Sequence, residues 1–261
     1  MTASASPDLV VVTGAGRGIG HAIAMDQGKR AHVLCLSRSG RAVETAEAIR
    51  VDGGSADALV VDLERPEESE ATLTEWLRGK PFSRIAAVFA AGVLGPEGPL
   101  EASSIAAWET TFRANVFGNL AIAKAILPKQ RANSFGRLLF FGGGGAAYAY
   151  PAFPAYAASK AALVRIVENL HEDLKDAGDF ATAILAPGAI ETDMLARVRE
   201  TGAEIRTTVG IEEPVAFARA FLAAESCGFS GRFVHVRDRW PEYLNGGEPL
   251  DANLWKLRRV E

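Results

Sequence analysis

Seven short apolar runs, most of them separated by a segment long enough for a helix, constrain this chain more than any other feature. They read LVVVTG at 9–14, HVLCLS at 32–37, ALVVDL at 58–63, IAAVFAAG at 85–92, GRLLFFG at 136–142, FATAILAPG at 180–188 and RFVHV at 232–236. Helical periodicity fills 40–51, 66–78, 104–126, 157–177 and 212–224. Strands buried on both faces read as near-continuous apolar runs, and repeated strand–helix–strand units build a parallel sheet covered by helices on both sides. The expected fold class is therefore α/β: a doubly wound, mostly parallel seven-stranded sheet in a single domain. Ligands of such sheets bind beyond the carboxyl ends of the strands, so the loops after the runs are where chemistry is expected.

Composition narrows the partners. With 261 residues, 48% of them hydrophobic, the chain can bury one large core. A net charge of −4 with mixed signs offers no cationic face for a phosphodiester backbone, so no nucleic acid is expected. No run approaches the roughly 18 apolar residues of a membrane span. The two cysteines and four histidines show no metal-ligand spacing, and no metal is expected. The start, MTASASPDLV, lacks a secretory pattern, which points to the cytoplasm and to a flexible tail over residues 1–8. A main unit is expected over 9–236. The segment 237–261, with turn residues and scattered aromatics, is expected to wrap over its surface.

The first loop is the most informative. VVVTGAGRGIGHAIA sets Gly14, Gly16, Gly18 and Gly20 between a strand and a helix, where a chain without side chains approaches a pyrophosphate at the helix N-terminus. After the second strand, LCLSRSG puts Ser37 where an acidic residue would bind the ribose hydroxyl of NAD, and Arg38 follows it. Arg17, inside the glycine loop, faces the same place. Two guanidinium forks suit a 2′-phosphate, so the cofactor expected is NADP(H). Farther on, Tyr156 and Lys160 stand four residues apart, on one face of a helix.

Together these features resemble the short-chain dehydrogenase/reductase family, with its Rossmann-type fold, over residues 9 to about 236. The resemblance implies that Thr13 and Ile19 join the four glycines around the cofactor and that Asp62 and Leu63 lie beside its adenine. It also implies that Ala90, Ala91 and Gly92 allow close backbone approach, and that Pro187, Gly188, Ile190 and Thr192 hold its nicotinamide end. The catalytic set it implies is Tyr156 as proton donor, Lys160 lowering the phenol's pKa and binding the ribose, and Asn115 in RANVFGNL kinking a long helix and linking to the lysine through water. A substrate lid is implied at about 192–212, and homodimers or homotetramers through the long helices.

One position departs. The family places a serine thirteen residues before the tyrosine, and here that position is Gly143, inside FFGGGGAAYAYPAFPAYAASK. The glycine run, FPAYAASKAALVR and the terminal LWKLRRV look like a branch in which this replacement is standing. Backbone N–H groups, a hydroxyl from Tyr148 or Tyr150 or from the substrate, or simply room for a bulky substrate would each answer for the loss. The expected activity is an NADP(H)-dependent ketoreductase or alcohol dehydrogenase. Arg197, Arg199 and Arg206 in the lid favour a small polar or anionic substrate. The alternatives are an NADP(H)-binding protein without turnover and a non-redox isomerase or dehydratase using Tyr156.

Overall fold

The computed structural model describes residues 6–202, 205, 208–247 and 250–257. Seven strands, β1 (Leu9–Thr13), β2 (His32–Ser37), β3 (Ser55–Val60), β4 (Ile85–Phe89), β5 (Phe135–Phe141), β6 (Asp179–Ala186) and β7 (Arg232–His235), form one sheet in the order β3-β2-β1-β4-β5-β6-β7. Every pairing is parallel. This is the doubly wound single-domain fold expected from the alternating runs.

Side-chain alternation divides the core in two. Val10, Val12, Val33 and Cys35 point to one face, packed with Ile23 of α1 (Gly18–Gln27), Ala42 of α2 (Arg41–Val51) and Phe217 and Phe221 of α8 (Glu212–Ala223). Leu9, Val11, Leu34 and Leu36 point to the other. They meet Leu73 of α3 (Pro66–Leu77), Ile122 and Ile126 of α5 (Gly118–Ala132) and Val164 and Val167 of α6 (Pro154–Leu174). Phe89 and Phe140, paired across β4 and β5 near their carboxyl ends, stack with centroids 4.1 Å apart. Such a pair contributes about 0.5–1.5 kcal/mol beyond its buried area and stiffens the strand ends that carry the site.

Among the boundaries that differ from the sequence reading, three bear on the site and the termini, and the helix read at 157–177 starts earlier, at Pro154. β3 begins at Ser55 rather than at 58, because it is an edge strand that needs apolar residues on one side only; its Val60 is left exposed. Val61, Asp62 and Leu63 thereby fall in the loop beyond it. The helix expected over 104–126 is two helices, α4 (Ile105–Phe112) and α5, joined by a π-helical turn at Arg113–Phe117. The expected tail is shorter, since the Asp8 carboxylate accepts from Ser83 N, Ser83 Oγ and Arg84 N at 2.9–3.0 Å. Residues 1–5 lie outside the described residues.

The C-terminal segment covers the β7 edge of the sheet. Trp240 packs edge-on against Phe217 at 4.8 Å, Trp255 meets Phe229 and Tyr243, and Phe233 N of β7 donates to Trp255 O at 2.8 Å. An edge strand capped in this way is withdrawn from pairing with other chains. Among the described residues no helix is long and apolar enough to cross a membrane.

Candidate active site

At the carboxyl end of β1 the chain turns at Gly14, with φ +70°, and a Cβ there would lie 2.9 Å from Ala91 N and Cα. Only glycine tolerates both the left-handed backbone and that approach. The two strand-end loops are stitched by side chains. Thr13 Oγ1 donates to Asn119 Oδ1 at 2.9 Å and accepts from Ala91 N at 3.2 Å, while Asn119 Nδ2 donates to Ala91 O at 3.3 Å. Asn119 was not anticipated, although two asparagines four apart in RANVFGNL share one helical face. α1 starts at Gly18 without a side-chain cap, which leaves its first-turn N–H groups facing outward for an anion.

A cleft of about 710 Å³ opens over this loop. It is lined by the expected Thr13, Gly14, Gly16, Arg17, Gly18, Ile19 and Gly20, then Ser37, Arg38, Asp62, Leu63, Ala90, Ala91, Gly92 and Thr192. Arg41, Glu64, Val93 and Asp193 also line it and were not anticipated. Pro187, Gly188 and Ile190 are not on this wall: Gly188 makes a turn at φ +75°, and Ile190 is buried in the core. The Ser37 hydroxyl is committed to the backbone, donating to Ser39 O at 2.7 Å and accepting from Ala42 N at 3.2 Å. Asp62 Oδ1 accepts from Glu64 N at 3.1 Å, holding the turn after β3.

The two arginines read as phosphate ligands each hold a carboxylate. Arg17 Nη1 is 2.7 Å from Asp193 Oδ2, and Arg38 Nη1 is 2.7 Å from Glu64 Oε1. Both arginines are about two-thirds exposed, so each pair is worth at most about 1 kcal/mol and yields to a doubly charged phosphate.

α6 brings the catalytic candidates to the far end of the cleft. Pro154 at its first position and the alanine-rich stretch after it favour helix from the start. Lys160, 3% exposed, donates to Phe141 O at 2.7 Å, and its Nζ lies 5.6 Å from the centroid of the Tyr156 ring. A Cβ on Gly92 would lie 3.4 Å from Lys160 Nζ and 3.3 Å from Asn115 Oδ1, so all three meet where the cleft ends. Asn115, inside the π turn, accepts from Val93 N at 2.7 Å and donates to Val93 O and Ser159 Oγ at 2.9 Å each. The extra residue of that turn aims the amide at β4 and α6 together.

The electrostatics differ from the sequence expectation. Burial, reinforced by Tyr150, pushes the Tyr156 phenol up to about 12, and burial pulls the Lys160 ammonium down to about 8. Desolvation outweighs the lysine's attraction for a phenolate in the protein alone.

Gly143 lies against the tyrosine. A Cβ built there would sit 2.8 Å from the Tyr156 hydroxyl, closer than van der Waals contact allows. Its backbone is extended and admits any residue, so a side chain there would meet the tyrosine rather than strain the backbone, and the phenol end of Tyr156 would have to shift. Leu94 and Phe153, with Leu195 and Val198 of α7 (Asp193–Glu200), form an apolar cluster that Tyr150 and Tyr156 join. Of the three lid arginines, Arg199 is paired with Glu191, its Nη1 2.8 Å from Oε2. Arg206 is outside the described residues, and Arg197 is exposed on α7.

The sequence matches the short chain dehydrogenase family over residues 8–203. An NADPH-dependent aldehyde reductase-like protein, chloroplastic, of Arabidopsis thaliana is 30% identical over 199 residues, covering 71% of this chain and 73% of its own length. A 3-oxoacyl-[acyl-carrier-protein] reductase of Haemophilus influenzae is 28% identical over 236 residues, covering 87% and 96%. Among solved structures, one from Beutenbergia cavernae with NADP bound at low occupancy superposes with a TM-score of 0.81 at 28% identity, covering 91% of this chain and 98% of that one. A gluconate 5-dehydrogenase from Burkholderia cenocepacia in complex with NADP and tartrate gives 0.77 at 25% identity, covering 87% and 92%.

Proposed function

The chain belongs to the short-chain dehydrogenase family, and on that footing we propose that it is an NADP(H)-dependent ketoreductase or alcohol dehydrogenase. The observation that carries the reading is the meeting of Lys160 and Asn115 at Gly92, which joins the glycine-loop cleft to the tyrosine. The residues fit a dinucleotide: an uncapped helix start stands ready for the pyrophosphate, and two arginines with only weak partners stand ready for the 2′-phosphate. When bound, the nicotinamide exchanges a hydride with the substrate's carbonyl or carbinol carbon. Tyr156 holds the proton that the substrate oxygen gains or loses. Lys160 places its charge beside that phenol. Asn115 fixes the β4 loop and α6 against each other, and Thr13 with Asn119 holds the backbone of Ala91.

Gly143 takes the place of the family serine in this reading, and its lack of a side chain gives Tyr156 its position. The substrate in this reading is a small polar carbonyl compound. The lean toward an anionic substrate stays part of the proposal: Arg199 holds an exposed partner, Glu191, and Arg197 is exposed on α7.

Titration with both reduced cofactors tests the cofactor assignment. NADPH is expected to bind at least about tenfold more tightly than NADH, a difference of only ~1.4 kcal/mol. Arg17→Ala with Arg38→Ala should erase the difference by weakening NADPH alone. Equal affinities in the unmutated protein, or tighter NADH, would reject the assignment.

A further inference from the structure

With no hydroxyl at position 143, the proposed reaction has one assigned donor, Tyr156, where the family reaction uses two hydroxyl donors on one substrate oxygen. A second phenol stands beside it. The Tyr150 ring lies 6.5 Å from the Tyr156 ring, edge-on at 60°, and 5.8 Å from Phe153. The glycine run lies against it: a Cβ on Gly145 would come 3.6 Å from Tyr150 Cβ, ordinary contact. Tyr150 is half-buried against the buried cluster of Leu94, Phe153, Leu195 and Val198, which Tyr156 also joins, so its ring is held beside that of Tyr156 while part of it stays exposed. Its hydroxyl has no hydrogen-bond partner among the described residues. Tyr148, by contrast, is 59% exposed.

We propose that Tyr150 is a catalytic residue: its hydroxyl donates to the same substrate oxygen that Tyr156 protonates, taking over the serine's work. This rests on the reading of the site as a carbonyl reductase. Two further facts agree with it. Burial raises the Tyr150 phenol above its ordinary value, so it stays protonated and able to donate across the working pH range. Ionised, it would hold the Tyr156 phenol up in turn, as two rings packed into one cluster should. No proton leaves Tyr150 in the reaction. It donates a hydrogen bond that strengthens as negative charge gathers on the substrate oxygen, and that differential is what lowers the barrier.

Tyr150→Phe keeps the ring against Phe153 and removes only the hydroxyl. The expected loss in kcat/KM for carbonyl reduction is on the order of 10²-fold, the usual effect of removing one preorganised donor. NADPH affinity should be unchanged, and Tyr148→Phe should behave as the unmutated protein. A second readout needs neither cofactor nor turnover. The chain has four tyrosines, so carbon-13 shifts of their phenol carbons can follow each one as pH rises. In Tyr150→Phe the Tyr156 phenol should begin to ionise at lower pH than in the parent. Activity within threefold of the parent, or an unmoved Tyr156 titration, would each overturn the assignment. If no carbonyl is reduced by the parent protein, it is the reductase reading that fails, and the titration still decides whether the two phenols share one pocket.

Discussion

Tyr156→Phe is expected to lower kcat for carbonyl reduction on the order of 10³-fold while leaving NADPH affinity within about twofold, since positioned acid–base groups contribute roughly 10² to 10⁴. The phenol is held up at about 12 by burial, so it carries its proton at neutral pH and is available as the acid. Tyr156 is not among the residues lining the cofactor cleft, whose walls come from the ends of β1 and β2, the loops after β1 to β4, the starts of α1, α2 and α7, and the π turn. Lys160→Ala should behave differently and weaken both turnover and cofactor binding, since Lys160 lies against Gly92 on the cleft wall. The parent's own cofactor affinity should then fall as pH rises through about 8, the value to which burial lowers Lys160, because the ammonium is present below that pH and lost above it. Steady-state kinetics beside fluorescence titration of NADPH distinguish the two variants. Undiminished activity in Tyr156→Phe would remove the mechanism.

A serine at position 143 should harm this protein. Gly143→Ser is expected to reduce kcat/KM by about tenfold or more, because its Cβ would meet the Tyr156 hydroxyl at 2.8 Å and must push the tyrosine or the loop aside. Gly143→Ala separates crowding from chemistry. If crowding governs, alanine and serine lose activity together. If the site lacks only a hydroxyl, serine should gain on the order of 10² to 10³ over alanine, the contribution of one donor. A serine variant tenfold more active than the parent would show that the glycine is a defect rather than a fit to Tyr156.

How much of this was legible before the structure depends on whether a feature is local in sequence. The glycine loop, Ser37 with Arg38, and Tyr156 with Lys160 are short-range patterns whose geometry follows from one turn or one helical repeat, and the cleft gathers the first two where the runs placed them. The features that escaped join residues far apart in the chain. Asn119 meets Thr13 across 106 positions, and Asp193 meets Arg17 across 176, and neither pairing has a local signature. The π turn at Arg113–Phe117 escaped because one extra residue in a helix leaves the apolar periodicity nearly intact. The early start of β3 escaped because an edge strand carries fewer apolar residues than a central one. The crowding of Gly143 by Tyr156 joins residues thirteen apart through a turn and a helix start, and spacing alone could not say whether a serine would fit.

The central claim, that this chain moves a hydride between nicotinamide and a carbonyl carbon, is tested most directly by following the hydrogen itself. NADPH carrying deuterium at both C4 positions is incubated with a panel of small aldehydes and ketones, and the alcohols formed are examined by mass spectrometry. The expected result is one deuterium on the carbinol carbon of at least one product from the parent protein, formed on the order of 10³-fold more slowly by Tyr156→Phe. Tight binding of NADPH with no deuterium transferred to any carbonyl, and none returned from the corresponding labelled alcohols to NADP, would contradict it and leave a protein that holds the cofactor without turning it over.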